Sequence, residues 1–413
     1  MKNVAFQGVA ASVYVLFLLV LIVSLISVSL EHIIFIYIIM FPLGDILPVS
    51  GILLRGINLI EIVTIILFLF YFNTNFLEKR RYNQFEKLAL MLSFFFIVIY
   101  FGTFYLKVYN IYGMGGISKT TFFIRCIKLL FHFLSIFIII DSFVHSYRVK
   151  LWVKRGLLFG FLFLGTNIYL TPIFHKLGLS IGQLGDYVEG NIFESRAVGL
   201  FSGDANFFAH YMVVGFGYFL SIIEKKQSKI VLLFLFIMLS AIAVSASRAA
   251  ILTILLILIL YLIRQIHGLR IKQALIIIAL VPISYTLFGS TLESRLYELQ
   301  GVGESIETYS RFKFQMIYIK EMIMNKYLLI SGYWDETQLY KSVGRWRTPH
   351  NQFLGMVFWG GLPYLFVFLV ILHRISKLRI PAHISEYGLS ISYPFIGFCS
   401  MYLFNPNEFI MYF

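Results

Sequence analysis

The polar segment Ser290–His350 interrupts an otherwise apolar chain and ends in Gly344-Arg345-Trp346-Arg347-Thr348-Pro349-His350-Asn351, before apolar sequence resumes at Phe353. A segment of this length is far longer than a connector needs, and long loops of this kind usually serve as lids or binding loops. Within it, apolar residues recur at the spacing of one helix face: Phe312, Met316, Ile319, Ile323 and Tyr327. We therefore predict a long extracytoplasmic loop over residues 290–350, with an amphipathic helix on the membrane surface roofing an active site. The alternative is a solvated tether with one amphipathic turn.

Composition indicates the class of protein to which this loop belongs. The 413 residues are 59% hydrophobic and 13% charged, and their mean hydropathy is +0.84. Helices that cross a bilayer need roughly 17–25 predominantly apolar residues. Apolar runs that mostly reach this length lie near 11–29, 32–48, 57–75, 88–106, 122–140, 151–170, 206–223, 229–246, 249–265, 271–289, 351–372 and 388–405. We predict an all-α polytopic membrane protein of about eleven to twelve transmembrane helices, forming a single integral membrane domain over residues 1–413.

The net charge of +14 is spread over short loops between the apolar runs, as at Lys79-Arg80-Arg81 and from Arg374 to Arg379. Because basic loops resist translocation, these clusters indicate the cytoplasmic side, and nucleic acid is not needed to explain them. The loops at 171–205 and 290–350 are then predicted to lie outside. Neither a Walker loop nor a dinucleotide-binding glycine pattern nor a CxxC metal motif occurs in the sequence, so we predict no cofactor and no metal.

Several basic residues fall at the predicted outer side. Arg196 lies in Glu194–Asn206, at the end of the first of these loops, where Gly199 and Gly203 permit turns; a capping or snorkelling arginine is the alternative there. Arg248 lies at a short turn between two apolar helices, where it must snorkel or bind an anion. Arg311 opens the amphipathic helix, and the loop closes with Arg345, Arg347 and His350.

Several guanidinium groups on one face suit a phosphate or diphosphate, because each can donate two parallel hydrogen bonds to it. A histidine beside them can accept a proton near neutral pH. We predict that the arginines hold a leaving diphosphate while His350 takes a proton from an attacking hydroxyl. A lone histidine at a helix boundary is more often structural, and we assign that role to the remaining histidines, including His210.

These residues resemble the O-antigen ligase and polymerase superfamily of bacterial membrane glycosyltransferases, which includes capsular and exopolysaccharide polymerases. The resemblance covers about residues 185–375 and rests on the order of short motifs. These are Ser195-Arg196-Ala197-Val198-Gly199-Leu200 with Asn206 following, Ser247-Arg248-Ala249-Ala250, Ser310-Arg311, and His350-Asn351-Gln352-Phe353-Leu354 leading to Gly360-Gly361.

The resemblance implies a GT-C-like membrane fold and a metal-independent, inverting transfer of a glycan from an undecaprenyl-diphosphate carrier to a sugar hydroxyl, at the outer leaflet of the bacterial cytoplasmic membrane. It implies diphosphate binding by Arg196, Arg248 and Arg311, and catalysis by His350. We add Arg345 and Arg347 to the diphosphate site because they are close to His350 in sequence. The expected partners are the lipid-linked oligosaccharide and the lipid bilayer, together with flippase and chain-length regulator proteins.

The acceptor separates the possible activities within this family. A polymerase transfers the glycan to a second lipid-linked repeat unit, whereas a ligase transfers it to lipid A-core or to a protein. We favour a polymerase because polymerases are the more diverse group. A lipid-linked oligosaccharide flippase is the main alternative from another class, but a transporter is expected to place ionisable residues near the middle of its bundle. A structural scaffold would need neither His350 nor Arg248.

Overall fold

A computed structural model describes residues 29–43, 59–75, 87, 131, 134–177, 183–184, 197–199, 205–225, 228–267, 271–288, 315–317, 319–320, 322–324, 329–330 and 352–376. The helices and strands are α1 (Leu30–Met40) with a 3-10 turn (Phe41–Leu43), α2 (Leu59–Asn75), α3 (Tyr147–Lys176), β1 (Gln183–Leu184), β2 (Ala197–Gly199), α4 (Ala205–Lys225), α5 (Lys229–Ser245), α6 (Arg248–His267), α7 (Ile271–Phe288) and α8 (Gln352–Ser376). Residues 134–145 are also helical.

The helices follow the apolar runs of the sequence closely. The run at 229–246 becomes α5, and the run at 271–289 becomes α7. Local chemistry explains where α5 begins and ends. Ser228 precedes it in an extended conformation, and Ala246 follows it in the left-handed conformation with φ 51°, which is a common way to end a helix.

The chain divides into two compact units. One comprises Met1–Thr74, Ser142–Glu298 and Ile380–Phe398, and the other comprises Asn75–Asp141, Leu299–Arg379 and Cys399–Phe413. The first unit therefore holds α1, all but the last residue of α2, α3 to α7 and the two strands, while the second holds α8 and the helical residues between 315 and 330.

Helix α5 lies at the centre of the first unit, where it packs against α3, α4, α6 and α7. Two glycines permit close packing of α3 against α5 and of α4 against α3. A Cβ atom at Gly165 of α3 would lie 2.7 Å from the Cε atom of Met238, and one at Gly215 of α4 would lie 2.7 Å from the Phe161 ring. Because real Cβ atoms do not approach neighbours so closely, a larger residue at either position would push the helices or side chains apart.

Helix α3 also packs against α1, and Trp152 is the main aromatic contact between them. Its ring centroid lies 4.4 Å from that of His32 and 5.3 Å from that of Phe35. The Arg155 guanidinium lies 5.0 Å from the centroid of the same ring, within the range of a cation–π interaction. The indole therefore joins two helices that are far apart in sequence.

The predicted membrane architecture is wrong for the part of the chain that the structure describes. There, no helix combines the length and the apolar character needed to cross a membrane. The prediction counted apolar residues along the sequence, whereas a span must be one uninterrupted apolar helix. Helix α1 has only 11 residues, and α8 is interrupted at Gly361 by non-helical angles. The polytopic, GT-C-like fold and the multi-pass localisation therefore lack their structural basis in these helices.

The amphipathic segment of the long loop is helical where it is described, at residues 315–317, 319–320 and 322–324. The exposure of its apolar residues varies. Met316 is 48% exposed and Ile323 is 65% exposed, whereas Met322 is buried. The three- and four-residue period predicts which residues share a face, but neighbouring segments determine which face they cover.

Candidate functional site

Chain connectivity brings several helix ends together in the first unit. Short connectors make consecutive helices run in opposite directions, so α5 ends and α6 begins at the same end of this unit. The paired strands β1 and β2 link the end of α3 to the start of α4, and β2 contacts α3, α4 and α5. We call the end of the unit that contains the α5–α6 turn and these strands the hairpin end.

Buried polar side chains occur on the helices that approach the hairpin end. Thr171 near the end of α3 donates a hydrogen bond of 3.1 Å to the Asn167 carbonyl, and Ser240 on α5 donates one of 2.7 Å to the Phe236 carbonyl. Burial raises the pKa of the Tyr169 phenol far above its ordinary value, so this hydroxyl stays neutral. A polar layer therefore lies inside an otherwise apolar helix bundle.

The turn between α5 and α6 has an unusual pair of serines. Ser245 is buried, and its hydroxyl donates a 2.7 Å hydrogen bond to the Ile242 carbonyl. Ser247 is only 1% exposed, and its hydroxyl has no hydrogen-bond partner within the described ranges. The Ser247 carbonyl accepts a hydrogen bond of 3.2 Å from the Ile251 amide, which makes Ser247 the N-cap residue of α6. Arg248 is the first residue of the helix.

His210 on α4 is a further titratable residue on a helix that starts at the hairpin end. Burial lowers the pKa of its imidazole to about 4, so the ring is neutral at pH 7. Burial disfavours the charged form of an imidazole, and the predicted structural role of His210 stays a prediction. The neighbouring Tyr211 ring packs against Phe161, with 4.8 Å between the centroids.

Two of the predicted diphosphate-binding residues adjoin described elements of the first unit. Arg196 itself lies outside the described residues, but it immediately precedes β2, and the backbone of Arg248 opens α6. Both segments belong to the hairpin end of the first unit. Arg311, Arg345, Arg347 and His350 lie outside the described residues, so their predicted roles stay predictions.

Sequence reasoning quoted Ser247 within a motif but gave it no function. Its burial and its unpartnered hydroxyl depend on the packing around the turn, and nothing in the local sequence signals them. Among all the residues that the structure describes, no cluster of three or more histidine, cysteine, aspartate or glutamate side chains is placed to hold a metal ion.

No protein-family model matches the chain, and neither a characterised protein nor a solved structure shows significant similarity to it. The resemblance to O-antigen ligases and polymerases therefore rests on the short motifs and their order in the sequence alone.

Proposed function

We propose that the protein is a glycan polymerase that transfers a glycan from an undecaprenyl-diphosphate carrier to a sugar hydroxyl of another carrier-linked repeat unit. One observation supports this proposal: the strand that follows Arg196 contacts α5, and a two-residue turn joins α5 to the helix that begins at Arg248, all within one compact unit. These are the segments that the resemblance associates with the carrier diphosphate.

The electrostatics of the hairpin end support an anionic ligand. Helix α6 begins there with Arg248 and has no acidic residue in its first turn. The N-terminus of a helix carries a partial positive charge and unpaired N–H groups, which attract phosphate groups. An arginine at the start of α6 adds a full positive charge, and its planar guanidinium suits two phosphate oxygens.

The proposed reaction is a single displacement at the anomeric carbon of the donor. The acceptor hydroxyl loses its proton to His350, and its oxygen forms a new bond to the anomeric carbon. The bond between that carbon and the diphosphate oxygen breaks on the opposite face, and its electron pair leaves with the carrier diphosphate. Arg196 and Arg248 stabilise the negative charge that develops there.

The test compares variants in a host strain from which the gene has been deleted. Arg248→Ala and His350→Ala should each reduce the ladder of surface glycan to a single repeat unit, while protein levels stay unchanged. Two matched controls test whether loss of an arginine or a histidine elsewhere in the chain has the same effect. Arg264→Ala changes an exposed arginine in the last turns of the same helix α6, and His373→Ala changes an exposed histidine on α8. Both controls should restore the full ladder.

Other outcomes would replace this proposal. A full ladder from His350→Ala would remove that residue from catalysis. Long polymer that stays on its lipid carrier in the deletion strain would indicate a ligase. Carrier-linked repeats that accumulate facing the cytoplasm would indicate a transporter.

A further inference from the structure

We infer that the Ser247 hydroxyl and the first backbone N–H groups of α6 form a subsite for one phosphate of a diphosphate ester. This inference rests on the proposed function and names residues that would hold the leaving group.

The Ser247 hydroxyl is an exception to a general rule for buried polar groups. Such groups are almost always hydrogen-bonded, because leaving one unpaired away from water costs free energy. Ser247 is 1% exposed, yet its hydroxyl has no partner among the residues that the structure describes. Two positions earlier in the chain, the equally buried Ser245 hydroxyl is paired with the Ile242 carbonyl. Within the described part of the chain, the same turn therefore contains one serine whose hydroxyl is hydrogen-bonded and one whose hydroxyl is not.

The unpaired hydroxyl also leaves the start of α6 uncapped by this side chain. An N-cap serine normally accepts a hydrogen bond from the N–H of the second or third helical residue, which here are Ala249 and Ala250. Because the Ser247 oxygen has no partner, neither N–H bonds to it. The first N–H groups of any helix also lack partners within the helix. Ala250 is fully buried, so a donor at this position is shielded from water.

These donors define the chemistry of the ligand. A hydroxyl that donates and N–H groups at a positive helix end together favour an acceptor with several oxygens and a negative charge. A phosphate group has this character, and its burial at the turn would strengthen each hydrogen bond, because the local dielectric is low. Ala246, which adopts φ 51°, turns the chain so that Ser247 stands directly before the helix.

The test measures the binding of inorganic pyrophosphate to the full-length protein by calorimetry and by the rise in melting temperature. Ser247→Ala should weaken binding about tenfold or more, because a hydrogen bond to a charged group is lost. The melting temperature without ligand should stay the same or rise, because the variant removes an unpaired polar group. Ser247→Thr keeps the hydroxyl and should retain binding.

Ser245→Ala is the matched control, since it removes an equally buried hydroxyl from the same turn. It should lower the melting temperature but leave pyrophosphate affinity unchanged. Should Ser247→Ala fail to fold, Ser247→Gly replaces it, because glycine is tolerated at an N-cap. Pyrophosphate affinity equal to wild type in the Ala or Gly variant would overturn the inference.

Farnesyl diphosphate distinguishes an isoprenoid ester from a free anion. Tighter binding of this ester than of pyrophosphate, with the same dependence on Ser247, would support a lipid-linked ligand. Equal binding of both would show that the subsite recognises the diphosphate alone, which still supports it. The glycan ladder tests the proposed function separately. A further outcome is pyrophosphate binding that depends on Ser247 together with a glycan ladder that His350→Ala leaves unchanged. That combination would support the phosphate subsite and contradict the polymerase proposal.

Discussion

Gly361 faces the main chain of Ile330 so closely that a Cβ atom on the glycine would overlap the Ile330 carbonyl group. The two residues belong to the same compact unit, and Gly361 adopts φ 75° and ψ −175° inside α8. Only glycine readily adopts these angles. The Gly360-Gly361 motif therefore has a structural reason, which is the close approach of residues 329–330 to the kink in α8.

Gly361→Ala should destabilise the protein by at least about 1–3 kcal/mol, which is the usual cost of such a backbone conformation in other residues. The overlap with main-chain atoms adds to this cost, because a carbonyl group cannot move aside as a flexible side chain can. Chemical denaturation measures the change. Gly156→Ala is the control, since a Cβ atom there would meet only side-chain atoms of Ile38 and Phe35 at 3.3–3.4 Å. Equal stability of the two variants would contradict this explanation.

Gly215→Ala should cost more stability than Gly165→Ala, although a Cβ atom at each position would lie 2.7 Å from its nearest neighbour. At Gly215 the neighbour is the rigid Phe161 ring, whereas at Gly165 it is the flexible end of Met238. Because alanine has a higher helix propensity than glycine, each substitution also stabilises its helix by up to about 1 kcal/mol. We expect net destabilisation at Gly215 and a change near zero at Gly165, measured by urea unfolding. The reverse order would show that α4 can shift away from α3.

The partly buried His210 should make stability depend on pH. Its pKa is about 4 in the folded protein and 6.5 as the ordinary value, so the unfolded chain binds the proton more readily. Neutral His210 therefore contributes to the free energy of unfolding above pH 6.5. This contribution is at most about 3 kcal/mol, and it is lost as the pH falls towards 4.

His210→Asn should therefore flatten the stability profile between pH 4 and 6.5, measured as melting temperature against pH. The exposed His145 provides the control substitution His145→Asn, which should keep the slope of the wild type. An unchanged slope in His210→Asn would assign the pH dependence to other groups.

Arg248→Lys tests whether the shape of the side chain matters as well as its charge. Lysine keeps the positive charge but cannot donate two parallel hydrogen bonds from a planar group. We expect glycan chains that are shorter or less abundant than in wild type, yet more polymer than in Arg248→Ala, on a gel that resolves repeat units. Wild-type polymer from the lysine variant would mean that charge alone is sufficient.

Local sequence patterns predicted the helices well, because hydrophobic periodicity acts over a few turns. The run at 57–75 and α2 (Leu59–Asn75) agree closely, and the short turn at Ser247-Arg248 was expected from the sequence. The membrane-spanning interpretation fails in the described helices, because composition alone does not report where a helix ends or breaks. The catalytic role of His350 remains a prediction.

Other features arise only when distant segments pack together. The pattern around Met316 did not predict that Met322 would be the buried residue, and no motif indicated that the Ser247 hydroxyl would be buried without a partner. The meeting of β2 with α5 likewise depends on contacts between residues far apart in the chain. Helix formation follows from the order of neighbouring residues, whereas the burial of a hydroxyl or the approach to Gly361 depends on which surfaces meet in three dimensions.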